Sequence, residues 1–238
     1  MSDIWKKYIT DWGYHAEQVY KFNKLCGNDG KDGDVLRELY KDLCIEEAEE
    51  ALAAFNLEDI HGNSISEEQA LNDLVDAACD LFYVGKYYQH ITDEYCSSVN
   101  GSQSSLSNLV FRLSCWVIEQ KEHQGSASAL PVDTSVHLLS ILKVDPDEAL
   151  NKVHESNFSK FMDVTGIPLE DIAEIAEAEV EEIKQVYITK GKPLKDVTYQ
   201  VNPYNDEHWL TFYNENGKVL KPSTFFEPDF TDVIKHLL

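Results

Sequence analysis

The residues best suited to chemistry in this chain are two groups of closely spaced carboxylates. The first is Glu46-Glu47-Ala48-Glu49-Glu50, and the second comprises Asp73, Asp76 and Asp80. From Asp42 through Asp80 there are twelve acidic residues and no lysine or arginine. Carboxylates gathered without basic partners repel one another and lose hydration, so such a group normally binds a cation. Oxygen ligands alone suit Mg²⁺ or Mn²⁺, so the sequence predicts a metal-dependent enzyme.

Two predicted long helices position these acids. The apolar periodicity predicts the first from about residue 34 to 55 and the second from about 66 to 89, opened by a capping box that starts at Ser64. On the first helix, Glu47 and Glu50 interrupt a stripe that is otherwise apolar. On the second, a single stripe carries three acids, namely Asp73, Asp76 and Asp80. If the helices pack antiparallel, carboxylate pairs face each other, and two divalent ions about 4 Å apart could hold an attacking water and a leaving phosphate.

A third predicted helix contributes polar groups of a different kind. Asp145 can cap it, Pro146 takes its first position, and it should run to about Phe161. Its inward stripe includes Asn157 and Lys160. A lysine beside a triphosphate supplies compensating positive charge, and an asparagine can orient a phosphate or sugar oxygen. Taken alone, this lysine is more often a surface residue with a packed stem, and a lone ExxE is more often a solvated face.

Together these segments resemble the MazG-like, all-α nucleoside triphosphate pyrophosphatases, a superfamily that includes dimeric dUTPases and phosphoribosyl-ATP pyrophosphohydrolases. Glu47-x-x-Glu50 followed by Asp73-x-x-Asp76 is similar to the ExxE…ExxD signature of that superfamily, although Asp73 stands where its members usually have Glu. The run from Val153 to Lys160 resembles the VHxSNxSK segment of phage and bacterial members. The residues 217–221 and the pair Pro228-Asp229 are similar to the tail that closes many of them.

The resemblance implies a fold and an activity. The expected fold is an all-α, MazG-like helical bundle in residues 1–163, with an insertion at 96–143, followed by a C-terminal extension at 164–238. The implied activity is Mg²⁺-dependent, or Mn²⁺-dependent, cleavage of a (d)NTP between the α and β phosphates, giving a (d)NMP and pyrophosphate. Homodimers or homotetramers are expected. The biological role would be control or house-cleaning of the nucleotide pool.

Site residues follow from the resemblance by position. The implied metal ligands are four carboxylates, namely Glu47, Glu50, Asp73 and Asp76. The implied nucleotide contacts are Asn157 and Lys160, with Asp80 as a secondary candidate, for base recognition or for a second metal shell. Two of these residues are also expected to be catalytic: Glu47 would take a proton from the attacking water, and Lys160 would stabilise the charge on the leaving pyrophosphate.

The C-terminal extension changes its periodicity. A helix is predicted over about 168–189 with Gly191 as its stop, and alternation between residues 197 and 212 then predicts β-strands. Asn216-Gly217 is a strong hairpin-turn signal, so the extension should contain a small β-hairpin. In the insertion, a Ser-rich stretch at 96–108 predicts a mobile loop, followed by a helix at 105–123 and a second loop at 124–133.

Composition limits the remaining possibilities. A formal charge of −23 disfavours binding to nucleic acid or to an anionic membrane surface. Five widely spaced cysteines, with no CxxC pair, indicate a reducing cytoplasm, and no apolar run has signal or transmembrane length. The likeness to phage and bacterial members makes a phage-encoded protein acting in the host cytoplasm one expectation. Two alternatives stay open: a dedicated dUTPase on the same fold, and a non-catalytic acidic binding protein or nucleic-acid mimic.

Overall fold

The structure is a computed structural model that describes residues 3–92, 105–122 and 129–238. Within these residues it contains eight helices and one three-stranded sheet. The helices are α1 (Asp3–Leu25), α2 (Gly33–Phe55), α3 (Glu67–Thr92), α4 (Leu106–Glu122), α5 (Ala129–Ile141), α6 (Pro146–Phe158), α7 (Leu169–Thr189) and α8 (Thr231–Ile234). The strands are β1 (Met162–Asp163), β2 (Val197–Tyr204) and β3 (Glu207–Asn214). The mostly helical chain with a small C-terminal sheet agrees with the predicted fold class, whereas a MazG-like architecture stays a prediction.

Most of the predicted helices are present, with small shifts at their ends. The helix start at Asp145 is confirmed, because its Oδ1 accepts a hydrogen bond from the Asp147 amide at 2.9 Å. Helix α3 begins one residue later than predicted. Its capping serine is Ser66, which accepts from the Gln69 amide at 3.2 Å, and not Ser64. The Ser-rich loop predicted at 96–108 lies mostly outside the described residues, although α4 begins within it.

Helix α5 was not predicted from the sequence. The expected loop at 124–133 overlaps its first residues, since α5 starts at Ala129. Buried apolar side chains occupy much of its length, namely Val132, Val136, Leu138 and Leu139. The helix is buried nearly all round and its buried residues include Thr134 and Ser135, so its polar residues do not mark a solvent-facing stripe and its period is hard to detect. The rest of the predicted loop lies outside the described residues.

Contacts between residues divide the chain into two compact units. Unit 1 comprises Met1–Val19, Lys31–Val153 and Pro228–Leu238, and unit 2 comprises Tyr20–Gly30 and His154–Glu227. Helices α1 and α6 contribute residues to both units. The predicted domain boundary at residue 163 falls inside unit 2, and the assignment of domains to functions stays a prediction.

Unit 1 is organised around the packing of α2 on α3. Helix α3 also packs on α5, and α4 packs on both α2 and α5. Small side chains allow the backbones to approach closely: Ala48 and Ala51 of α2 are fully buried. At Gly85 of α3, an added Cβ would lie 2.9 Å from the Cβ of Pro131 in α5, so only glycine fits there. None of the helices in the described part of the chain has the length and apolar character needed to cross a membrane.

Unit 2 is an antiparallel sheet covered by α7. The strand order is β1-β3-β2, and β2 and β3 form a hairpin that turns at Asn205-Asp206. Apolar residues of the helix and the sheet make one core, among them Ile172, Ala176, Ile183, Leu210 and Phe212. The predicted hairpin is therefore present, but the Asn216-Gly217 turn does not join its strands. That turn follows β3, and the chain after it folds back so that Val219 pairs with Tyr213 in an isolated β-bridge.

Candidate carboxylate site

The acids of α2 and α3 face each other because the two helices run antiparallel. Near the start of α2, Tyr40 packs on Tyr87 near the end of α3, with ring centroids 4.6 Å apart. Further along α2, the charge of Glu47 interacts with that of Asp80, which lies earlier on α3. A residue later on α2 thus meets a residue earlier on α3. This arrangement brings the two acidic stripes to one interface, as the helical periodicity predicted.

Glu47 is the most perturbed carboxyl of this interface. Loss of hydration on burial raises its pKa well above the ordinary value of 4.5. Repulsion from neighbouring carboxylates adds to this effect, in the order Asp80, Glu50, Glu46 and Asp76. Four acids therefore act on a fifth that has been withdrawn from water. Such a group is stabilised either by a proton or by a nearby cation.

Glu50 lies one helical turn further along α2 and has a similar environment. Its pKa is raised first by burial and then by repulsion from Glu46, Asp80 and Asp73. Asp73 itself accepts a hydrogen bond from the Gln69 amide nitrogen Nε2 at 2.6 Å. Glu47 and Glu50 on α2, and Asp73, Asp76 and Asp80 on α3, therefore form one electrostatically connected group, which we call the carboxylate site.

Asp80 is more central to this site than the motif spacing indicates. The resemblance makes it only a secondary candidate, for a second metal shell or for base recognition, whereas it is the strongest charged neighbour of Glu47 and also acts on Glu50. Its position four residues after Asp76 on the same stripe is the sequence signal that points to it. Glu49 lies outside the site, since it is exposed and forms an ion pair with Lys121 on α4 at 2.5 Å.

Two cysteine thiols lie beside the carboxylates. Burial, and secondarily the charge of Glu47, raises the pKa of Cys44 well above its ordinary value. Burial followed by the charges of Asp80 and Asp76 does the same for Cys79. Both thiols therefore stay protonated at neutral pH and are poor nucleophiles and poor metal ligands there. The ligand atoms available at the interface are carboxylate oxygens.

The chemistry of this donor set fits a hard divalent cation. Oxygen-only ligands and an excess of negative charge are what Mg²⁺ and Mn²⁺ bind. The side chains nevertheless do not close around one point: in the part of the chain that the structure describes, no group of three or more His, Cys, Asp or Glu is arranged to hold a metal ion. Binding a cation would therefore require rotation of side chains that now repel one another.

The other two predicted nucleotide contacts belong to unit 2. Asn157 is buried, and its Oδ1 accepts a hydrogen bond from Lys160 Nζ at 2.6 Å. The same Nζ lies 5.6 Å from the centroid of the Phe22 ring. The same region of the chain also binds the segment around Phe226, because Ser156 Oγ donates a hydrogen bond to the Phe226 carbonyl at 2.9 Å. Within unit 2 these residues thus have structural roles, and contact with a nucleotide stays a prediction.

Comparison with known proteins gives no relative. No protein-family model, no curated protein and no solved structure matches this chain. The resemblance of the motifs to MazG-like enzymes therefore stands on the residues themselves. The geometry of α2 and α3 is the independent observation that bears on function.

Proposed function

We propose that the protein is a divalent-cation-dependent nucleoside triphosphate pyrophosphohydrolase, which converts a (d)NTP to a (d)NMP and pyrophosphate. The observation that carries the proposal is the placement of Glu47: it lies at a helix interface, is partly withdrawn from water, and is surrounded by carboxylates from both helices. An acidic surface that only mimics nucleic acid would keep its acids in solvent, where repulsion is weak. A cation-binding site explains why the acids are turned inward.

Each carboxylate has a role in this proposal. Glu50, Asp73, Asp76 and Asp80 would hold the cation together with Glu47. When bound, Mg²⁺ would supply positive charge to the phosphate oxygens and increase the acidity of a water beside them. Glu47 is the best candidate for general base, because its charge interacts with acids of both helices and it would therefore lie beside the water that the bound cation activates. One of its carboxylate oxygens would take the proton of the attacking water.

The argument for this function depends on unit 1 alone. Lys160 and Asn157 would contact phosphate or sugar oxygens if the resemblance holds. Within unit 2, Lys160 donates a hydrogen bond to Asn157. Replacing Lys160 therefore tests the resemblance, and replacing acids of the carboxylate site tests the proposal from geometry.

The test is a product assay with matched variants of the full chain. Canonical and modified dNTPs and NTPs would be incubated with Mg²⁺ or Mn²⁺ and the products identified, with monophosphate and pyrophosphate expected. Glu50→Gln should lower kcat/KM by more than the roughly 10–100-fold that loss of a supporting partner of a metal ligand costs. Glu177→Gln, the same change at an exposed acid of α7, should leave kcat/KM unchanged.

Two results would contradict the proposal. Formation of diphosphate and phosphate would place the cleavage at another bond. Full activity of Glu50→Gln would show that the carboxylate site does not perform the reaction. A strong preference for dUTP in the same panel would instead favour a dedicated dUTPase, with the site unchanged.

A further inference from the structure

A second acidic feature of unit 1 lies on the side of α2 that faces α4. It is a cleft of about 690 Å³, which is within the usual range for small-molecule sites, about 300–1,000 Å³. Four acids line it, namely Asp42, Glu46, Glu49 and Glu50. Glu47 does not line it, so the cleft and the centre of the carboxylate site are different places. We refer to this feature as the α2–α4 cleft.

The charges in the α2–α4 cleft are unbalanced. Two lysines line it together with the four acids, and both are already engaged. Lys121 pairs with Glu49 at 2.5 Å, and Lys41 lies 3.7 Å from Glu38, which is not among the lining residues. A concave surface with excess charge of one sign concentrates the field and attracts ligands of the opposite sign. The cleft therefore favours a cation.

Gln120 of α4 is the independent sign that a ligand belongs here. This residue lines the cleft and is only 5% exposed, yet its Oε1 has no hydrogen-bond partner among the described residues. A buried acceptor without a donor costs about 1–3 kcal/mol, so nearly all such groups in proteins are satisfied. The missing partner is a hydrogen-bond donor, and the side-chain amide would have to rotate toward the cleft to meet one, because Oε1 itself is fully buried. Since carboxylates at neutral pH also only accept, the ligand that suits this lining is rich in N–H groups.

The size and the apolar part of the lining identify the kind of cation. Ile45, Ala53 and Ile60 provide aliphatic surface, and Ile60 is 64% exposed. A bare metal ion would use neither this surface nor this volume. Methylene groups between ammonium groups would pack on the isoleucines. We infer that the α2–α4 cleft binds an aliphatic diamine or polyamine, with its N–H groups donating to Gln120 and to the acids of α2.

This inference does not require the proposed activity, although Glu50 belongs to both the cleft and the carboxylate site. It is tested by calorimetric titration of spermidine into the metal-free full chain at low salt. Saturable binding is expected. Gln120→Leu should weaken it about tenfold, because a hydrogen bond to a charged donor is lost. Since the change also removes an unsatisfied buried acceptor, the melting temperature should not fall. Glu46→Gln, at an exposed position of α2, provides a second variant that should fold normally and also bind spermidine more weakly.

Two controls separate a built site from general attraction to an acidic protein. Glu177→Gln removes one exposed charge from unit 2 and should leave spermidine affinity unchanged. Glu47→Gln alters the carboxylate site but not the cleft lining, and it should likewise leave spermidine affinity unchanged. The inference is overturned if Gln120→Leu binds spermidine as the parent does, or if Glu177→Gln weakens binding as much as Glu46→Gln. It is also overturned if cytidine or guanosine binds in a Gln120-dependent way and spermidine does not, since the cleft would then hold a nucleobase.

Discussion

Replacement of Glu47 by glutamine should make the metal-free protein more stable at neutral pH. The raised pKa of Glu47 means that the folded protein holds this proton more tightly than the unfolded chain, whose glutamate titrates near 4.5. The resulting stability is fully present below about pH 4.5 and is lost as the pH rises through the folded-state pKa. At neutral pH and above, the parent carries the cost of ionising a partly buried, repelled carboxyl, and the Glu47→Gln variant does not.

The size of this effect scales with the difference in the pKa of Glu47 between the folded and unfolded states. Each pKa unit between the folded and unfolded states corresponds to about 1.4 kcal/mol. In a chain of this size, each kcal/mol of added stability raises the melting temperature by about 2–4 °C. Glu49→Gln is the matched control on the same helix. Because Glu49 is exposed and its pair with Lys121 is solvated, the control should change stability by at most about 1 kcal/mol.

The assay is urea denaturation followed by far-ultraviolet circular dichroism, with a chelator present, at pH 5 and at pH 8. The midpoint of Glu47→Gln should exceed that of the parent at pH 8 and should approach it at pH 5. If the difference between the two proteins is the same at both pH values, or if the variant is the weaker one at pH 8, Glu47 is not held in a desolvated and repulsive environment. The central observation behind the proposed function would then be wrong.

Three further substitutions test the packing around the site, each checked by the shift of the denaturation midpoint. Gly85→Ala should cost about 1–3 kcal/mol, because its Cβ would meet Pro131 at 2.9 Å; an unchanged midpoint would show that α3 and α5 do not pack so closely. Glu179→Ala should cost about 1–3 kcal/mol, because this buried carboxylate accepts from the Ser223 amide and hydroxyl at 2.5 and 2.7 Å. Asp145→Ala should cost about 1 kcal/mol through loss of the α6 cap, whereas Asp145→Asn should keep most of that stability.

The helices that carry the carboxylate site could be predicted because their signals are local. Stripes, caps and helix-stopping glycines depend on residues a few positions apart, and such patterns indicated α2, α3, α6 and α7 closely. Helix α1 is the exception: the apolar pattern, closed by Gly27, predicts a short helix only over residues 14–25, whereas α1 begins at Asp3. Gly13 lies inside this helix, and a glycine in a helix interior weakens the propensity signal by about 1 kcal/mol relative to alanine.

The rest depends on contacts between distant residues, which one sequence does not display. Among the charged neighbours of Glu47, Asp80 has the strongest electrostatic effect because of the register between α2 and α3. The spacing of acids along α3 alone does not reveal this ranking. The α2–α4 cleft brings Gln120 to acids that lie seventy or more positions earlier in the chain. The sequence favours Tyr87 as a core aromatic over a residue that stacks on a base, and it is indeed buried, but its partner Tyr40 could not be predicted. Packing partners of this kind become visible only when the fold is known.

Unit 2 combines two segments that lie far apart in the sequence, and this has a consequence for biosynthesis. The Leu25 carbonyl accepts hydrogen bonds from Asn202 Nδ2 and Thr211 Oγ1, whose positions follow it by 177 and 186 residues. A ribosome that adds residues in order therefore exposes Tyr20–Gly30 long before the strands that cover it have been made. Closing so long a loop is slow, and until it closes the early segment is open to chaperones, proteases and other nascent chains. Premature termination anywhere before β3 would leave that segment permanently without its cover.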